Sequence, residues 1–265
     1  MKNFIRRWAA RLKPITSLHI GVYAAHTSFF MVLSLFPMLA ILMSLLRYTG
    51  LSVDTLTDFL DGVIPHALMS AAKRLILSAY ESTTGTLLSL SALTALWSSS
   101  RGIHGLVIGL NVVYHVPENR SNLYTRGVSV IYTFAFLLVM LLTLLLNVFT
   151  NTLLALFPMG FIPKVIDLRT ILLLLIQTIL FTAMYTVLPN RKISIRHSLP
   201  GAVLAAVGWM IFTRLYSVYV DHFAGLSNVY GSVYVMALSM LWLYFCVNIL
   251  FYGGALNHLL TQKRK

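Results

Sequence analysis

The sequence predicts an all-α fold: a polytopic membrane helix bundle of about six transmembrane helices, with amphipathic helices after the first span. Three observations predict it. Of 265 residues, 58% are hydrophobic and 10% charged, against about 25% charged in an ordinary soluble domain. The mean hydropathy is +0.82. The apolar residues come in uncharged runs of about 20 residues, the length a helix needs to cross the hydrocarbon of a bilayer. The basic residues gather in short segments between those runs.

The runs divide the chain into a basic N-terminal segment (1–23), a six-span membrane domain (24–260) and a basic tail (261–265). Lys2, Arg6, Arg7, Arg11 and Lys13 precede the uncharged run Pro14 to Leu46. That run is too long for the apolar core of a signal peptide and is expected to remain as the first span, about Ala24 to Leu46. Pro37 falls within it. A mid-span proline removes a backbone hydrogen bond and kinks the helix, as a hinge or as a static packing feature.

Residues 51–82 differ. Asp54, Asp58, Asp61, Lys73, Arg74 and Glu81 alternate with apolar residues at helical spacing, with a break at Pro65. This is the pattern of amphipathic helices on the extracytoplasmic surface. The second span begins near Gly85, is rich in Ser and Thr, and meets Arg101. Either one helix continues through Arg101 to Tyr114, or the span ends there and the arginine anchors it at the interface.

The third span is expected at Val128 to Thr150 and the fourth at Thr170 to Leu188, stopped by Pro189. The fifth covers Leu199 to Tyr219, with Arg214 near its far end, and the sixth Val233 to His258. With the N-terminus inside, the inner segments hold 13 of the 20 Lys and Arg residues. The outer ones hold only Arg47, Lys73, Arg74, Lys164 and Arg169. The asymmetry places both termini in the cytoplasm.

The charge of +13 therefore points to lipid headgroups as partners and not to nucleic acid. Oligomeric state and envelope partners stay open. The single cysteine, Cys246, lies in an apolar run and reads as a buried small hydrophobe. The candidate polar contacts for a headgroup or an internal cavity are Arg101, Asn111, His26, Arg214 and Asn257. Interhelical hydrogen bonding is the plainer use of the histidine and the asparagines, and snorkelling that of Arg214. Gly105 and Gly109 suit close helix packing. Trp97, Trp209 and Trp242 read as belt or core aromatics.

The chain resembles the YihY/BrkB family of bacterial inner-membrane proteins. The resemblance rests on Ser34-Leu35-Phe36-Pro37, on Leu96-Trp97-Ser98-Ser99-Ser100-Arg101-Gly102, on Leu199-Pro200-Gly201-Ala202, on Tyr230-Gly231-Ser232, and on Gly253-Gly254-Ala255-Leu256-Asn257. These motifs stand in family order from about Ala24 to Leu260. One position departs. The family commonly has Glu where this chain has Ala255, so a role resting on that carboxylate, such as proton coupling, does not carry over. The resemblance implies six spans and an envelope function, with lipid handling or export as the expectation.

The family has also carried a tRNA-processing ribonuclease label. Metal-dependent nucleases gather carboxylates or histidines around their ions. Here seven acidic residues and eight histidines are scattered. The reading is a non-enzymatic lipid-handling protein without cofactor or metal. A small-solute or ion transporter and a membrane scaffold are the alternatives.

Overall fold

Among the described residues, the spans expected first, second, fourth, fifth and sixth all fall on helices. A computed structural model describes residues 19–49, 53–60, 66–82, 85–121, 123–125, 127–129, 131–132, 168–222 and 227–262. They form α1 (Ile20–Thr49), α2 (Val53–Leu60), α3 (His66–Ser82), α4 (Gly85–Val113), α5 (Leu168–Val187), α6 (Ile195–His222) and α7 (Ser227–Gln262), with no strand among them. The N-terminal basic segment, most of the expected third span, the connection around Pro158 and Pro163, and the tail lysines lie outside the described residues.

Two stretches, Ile195–Val220 and Met236–Gln262, are long and apolar enough to cross a membrane by length and composition. Ile20–Ser34 and Leu173–Val187 are shorter apolar stretches. The outward faces are apolar as well. Along α6, Leu204, Ile211, Leu215 and Val218 are exposed, Val218 by 71%. Soluble monomers seldom expose contiguous apolar patches this large, so the surface is solvated by something other than water.

The core lies where α4, α5, α6 and α7 meet. Leu106, Val107 and Leu110 of α4 pack with Tyr185 of α5, Ala202, Ala205 and Ala206 of α6, and Val247, Leu250 and Phe251 of α7. The alanines let α6 lie close to its neighbours, and the rings of Tyr185 and Phe251 fill the remaining space. The Tyr185 hydroxyl, fully buried, donates to the Leu250 carbonyl. The most extensive helix contact is α1 against α4, followed by α6 against α7.

Two short helices, α2 and α3, occupy the segment expected to be amphipathic. α3 packs against α1 and also touches α6 and α7. Its apolar residues Leu68 and Ile76 are buried against protein, while Ser70, Lys73 and Arg74 face outward. The helical period of apolar residues is the same for a helix seated on protein as for one seated on lipid.

α4 runs without a break from Gly85 to Val113, so Arg101 lies within a helix and not at its end. It ends in a Schellman turn. Val116 N–H donates to Asn111 O at 2.9 Å and His115 N–H to Val112 O at 3.1 Å. His115 takes φ of 54°, the left-handed conformation this motif demands and glycine usually supplies. Pro117 follows and prevents the helix from resuming.

Candidate functional site

The seam between α1 and α4 is built on glycines. A Cβ on Gly102 would lie 3.2 Å from the Met31 side chain, and one on Gly105 would lie 2.5 Å from Thr27 Oγ1 and 2.8 Å from His26 Nδ1. Gly109 leaves room for the Phe251 ring in the same way. The close packing expected at Gly105 and Gly109 is what the structure has.

Arg101 lies on the flank of this seam. Its guanidinium carbon is 5.0 Å from the Trp97 ring centre and 5.5 Å from that of Phe30. The two rings meet edge to face at 6.1 Å, and the His26 ring lies 4.9 Å from that of Phe30. Trp97 is 52% exposed and Phe29 44%, so the niche opens outward and not into the bundle.

The position is deep along the helix. Twelve residues separate Arg101 from Val113, or about 18 Å at 1.5 Å per residue. Were this part of α4 to lie within a bilayer, its guanidinium would cost about 2.5–3.5 kcal/mol on insertion scales. A cation–π contact returns about 0.5–2 kcal/mol, depending on desolvation. Two rings therefore offset much of the charge. They leave the donors unserved, because a ring face attracts charge but accepts no ordinary hydrogen bond. Nε is buried and has no hydrogen-bond partner among the described residues.

Asn111 and Asn257 are placed elsewhere and are occupied. Asn111 is buried at the end of α4. Its Nδ2 donates to Glu118, and its Oδ1 accepts the Asn190 N–H at 2.7 Å. Glu118 is also gripped by Arg120 through Nε and Nη2, both at 2.7 Å. Arg120 Nη2 reaches the Leu188 carbonyl at 3.3 Å. This joint ties the end of α4 to the turn between α5 and α6. The Arg120 hydrogen bonds are the largest cause holding the Glu118 carboxyl below its ordinary range, and the Glu118 carboxylate in turn raises Arg120.

Asn257 joins α7 to the start of α6. Its Oδ1 accepts the Gly201 N–H at 2.7 Å and its Nδ2 donates to the Ser198 carbonyl at 2.9 Å. A Cβ on Gly201 would collide with the Gly253 carbonyl oxygen, so the two backbones touch directly. Arg214 is exposed on α6 among Ile211, Leu215 and Val218. Pro37 lies inside α1, in the part whose side chains are outside the description.

The five candidate contacts thus do not converge. His26 and Arg101 share a niche, whereas Asn111, Asn257 and Arg214 stand apart. Phe30 was missed, and Trp97, expected as a belt or core residue, also covers the arginine. The four-residue spacing of Trp97 and Arg101 on a helix was the available signal. Glu118 and Arg120 were missed too. Their only trace in the sequence is a lone acid two residues before a base in an otherwise basic segment. Among the described residues no three His, Cys, Asp or Glu side chains gather as a metal site would require.

Residues 13–265 match the family described as Virulence factor BrkB. The chain belongs to this family. Proteins with other names resemble it along most of their length. Ribonuclease-like protein YfkH of Bacillus subtilis is 35% identical over 256 residues, covering 94% of this chain and 93% of that protein. A UPF0761 membrane protein of Vibrio campbellii is 22% identical over 95% of this chain and 81% of its own length. Another from Vibrio vulnificus is 23% identical over 98% and 83%. No solved structure matches. With its exposed apolar helices, this BrkB chain is a membrane protein, as the resemblance implied. Ala255, at the position where the resemblance leads to a glutamate, is buried in the α4–α7 core.

Proposed function

We propose that the protein is a six-span bacterial inner-membrane protein, with both termini in the cytoplasm, that handles lipids without catalysing a reaction. The carrying observation is the direction in which the Arg101 niche opens. A solute transporter holds its polar site at the midplane between helices, sealed from the acyl chains. Arg101 instead stands deep along α4 against Trp97, whose ring is half exposed on the outer face. A cation in that place meets lipid. The excess of basic residues in the inner segments supports the orientation.

Reconstitution tests the reading. Vesicles carrying the protein are expected to exchange fluorescent lipid between leaflets faster than protein-free vesicles, and Arg101→Gln to slow that exchange several-fold. Exchange no faster than in empty vesicles, with correctly folded protein, would sink it. Single cysteines near each end in a Cys246→Ser background, probed with an impermeant maleimide from either side, test the orientation. Labelling of the two ends from opposite sides would exclude six spans.

A further inference from the structure

The Arg101 niche has more to it than a charge facing lipid. The guanidinium carbon stands over the Trp97 and Phe30 rings at 5.0 and 5.5 Å. Its Nε is buried without a hydrogen-bond partner, and Arg101 forms no ion pair among the described residues. The described Glu118 is already committed to Arg120. The imidazole of His26 lies against Phe30 on the same flank, a second nitrogen-bearing group beside the first.

The surroundings continue the pattern. Phe29 and Leu33 on α1, and Leu93 on α4, are exposed apolar side chains on the turns next to Phe30 and Trp97. A rigid fork of donors beside a strip of exposed apolar residues matches an amphiphile with an anionic head. Guanidinium recognises phosphate through paired hydrogen bonds that an ammonium cannot reproduce. We infer that the niche formed by Arg101, His26, Phe30 and Trp97 binds the phosphate of a net-anionic lipid, with the acyl chains lying along Phe29, Leu33 and Leu93.

A zwitterionic headgroup fits less well, because its own ammonium competes for the phosphate and would stand beside a guanidinium. Free inorganic phosphate shares the head chemistry but leaves the apolar strip uncovered. The inference rests on the lipid-handling reading only in requiring that this flank face the bilayer.

Trp97 is itself the reporter. The full chain is placed in vesicles of phosphatidylcholine containing a minor fraction of brominated lipid, which quenches nearby tryptophan. Subtracting the signal of Trp97→Phe isolates the contribution of Trp97. Brominated phosphatidylglycerol is expected to quench Trp97 at least two-fold more than brominated phosphatidylcholine at equal fraction. Arg101→Gln is expected to remove the excess, and Arg101→Lys to retain only part of it. His26→Gln, which leaves Arg101 in place, is expected to weaken it.

Equal quenching by the two lipids overturns the inference, and so does an excess that persists in Arg101→Gln. Millimolar inorganic phosphate separates the sources. If it abolishes the excess, the niche takes phosphate alone; if it does not, the headgroup binds together with its chains. Selective quenching without leaflet exchange would refute lipid transport while leaving this site intact. Leaflet exchange without selectivity would do the reverse.

Discussion

The side-chain oxygen of Asn257 accepts the backbone N–H of Gly201 at 2.7 Å, one residue after Pro200, which has no N–H to give. The same carboxamide donates to the Ser198 carbonyl at 2.9 Å. One side chain of α7 therefore serves both sides of a proline-interrupted turn of α6. Truncation strands a buried donor, at a cost of about 1–3 kcal/mol. Asn257→Ala is expected to lower the thermal midpoint in detergent by several degrees. A midpoint equal to that of the unaltered protein would mean the joint contributes nothing.

Glycines test the crossing from the other side. Gly201→Ala would drive a methyl group into the Gly253 carbonyl oxygen and the Asn257 carboxamide. Backbone cannot step aside as a flexible side chain can, so loss of most folded protein is expected. Gly127→Ala is the control, since a Cβ there meets nothing within 4 Å. Size-exclusion chromatography of the two variants should separate them. Two equally monodisperse peaks would contradict the close approach.

Acid should loosen the joint at the end of α4. Glu118 is held below its ordinary 4.5 chiefly by the Arg120 hydrogen bond. A carboxyl with a lowered folded value contributes its stability in full above the ordinary range. That contribution shrinks as the pH falls through this range, and below the lowered value it is gone. Glu118→Gln is therefore expected to melt earlier than the unaltered protein at neutral pH and to converge with it in acid. A gap that stays constant down the pH series would show that the charge of Glu118 is not what matters.

Cys246 gives a simple test of packing. It is fully buried on α7, beside Tyr216 and Trp242. A small maleimide is expected to leave it unmodified in the folded protein and to label it completely in SDS. Rapid labelling before denaturation would show that α6 and α7 separate there.

The helices were legible because apolar runs announce themselves locally. Their ends were less so. α6 begins at Ile195, ahead of the expected Leu199, because Ser194 starts the helix and Pro200 does not stop it: the Ser194 carbonyl accepts the His197 and Ser198 N–H groups at 2.9 and 3.2 Å. α7 runs from Ser227 to Gln262 where Val233 to His258 was expected, since hydrogen bonding along the backbone does not end where the apolar residues do. Arg101 was legible as a notable charge, while the sequence left open whether its helix continued. What holds it there is partly Phe30 on another helix, and local sequence carries no sign of that. The asparagines do the interhelical bonding expected of them, but the same reason hid their partners. Asn111 finds Asn190 at a separation of 79 residues, and Asn257 finds Gly201 at 56. Such pairings arise from the three-dimensional crossing and leave no period to read.

The contact of Gly201 with Gly253 has a mechanical consequence. Two backbones that touch with no side chain between them have no rotamers to exchange and no soft layer along which to slide. α6 and α7 therefore behave as a single beam. Any working motion of the molecule has to be carried by the joints around that beam. The most extensive of the described seams available for it is the one between α1 and α4, where methionine, threonine and histidine side chains border the glycines.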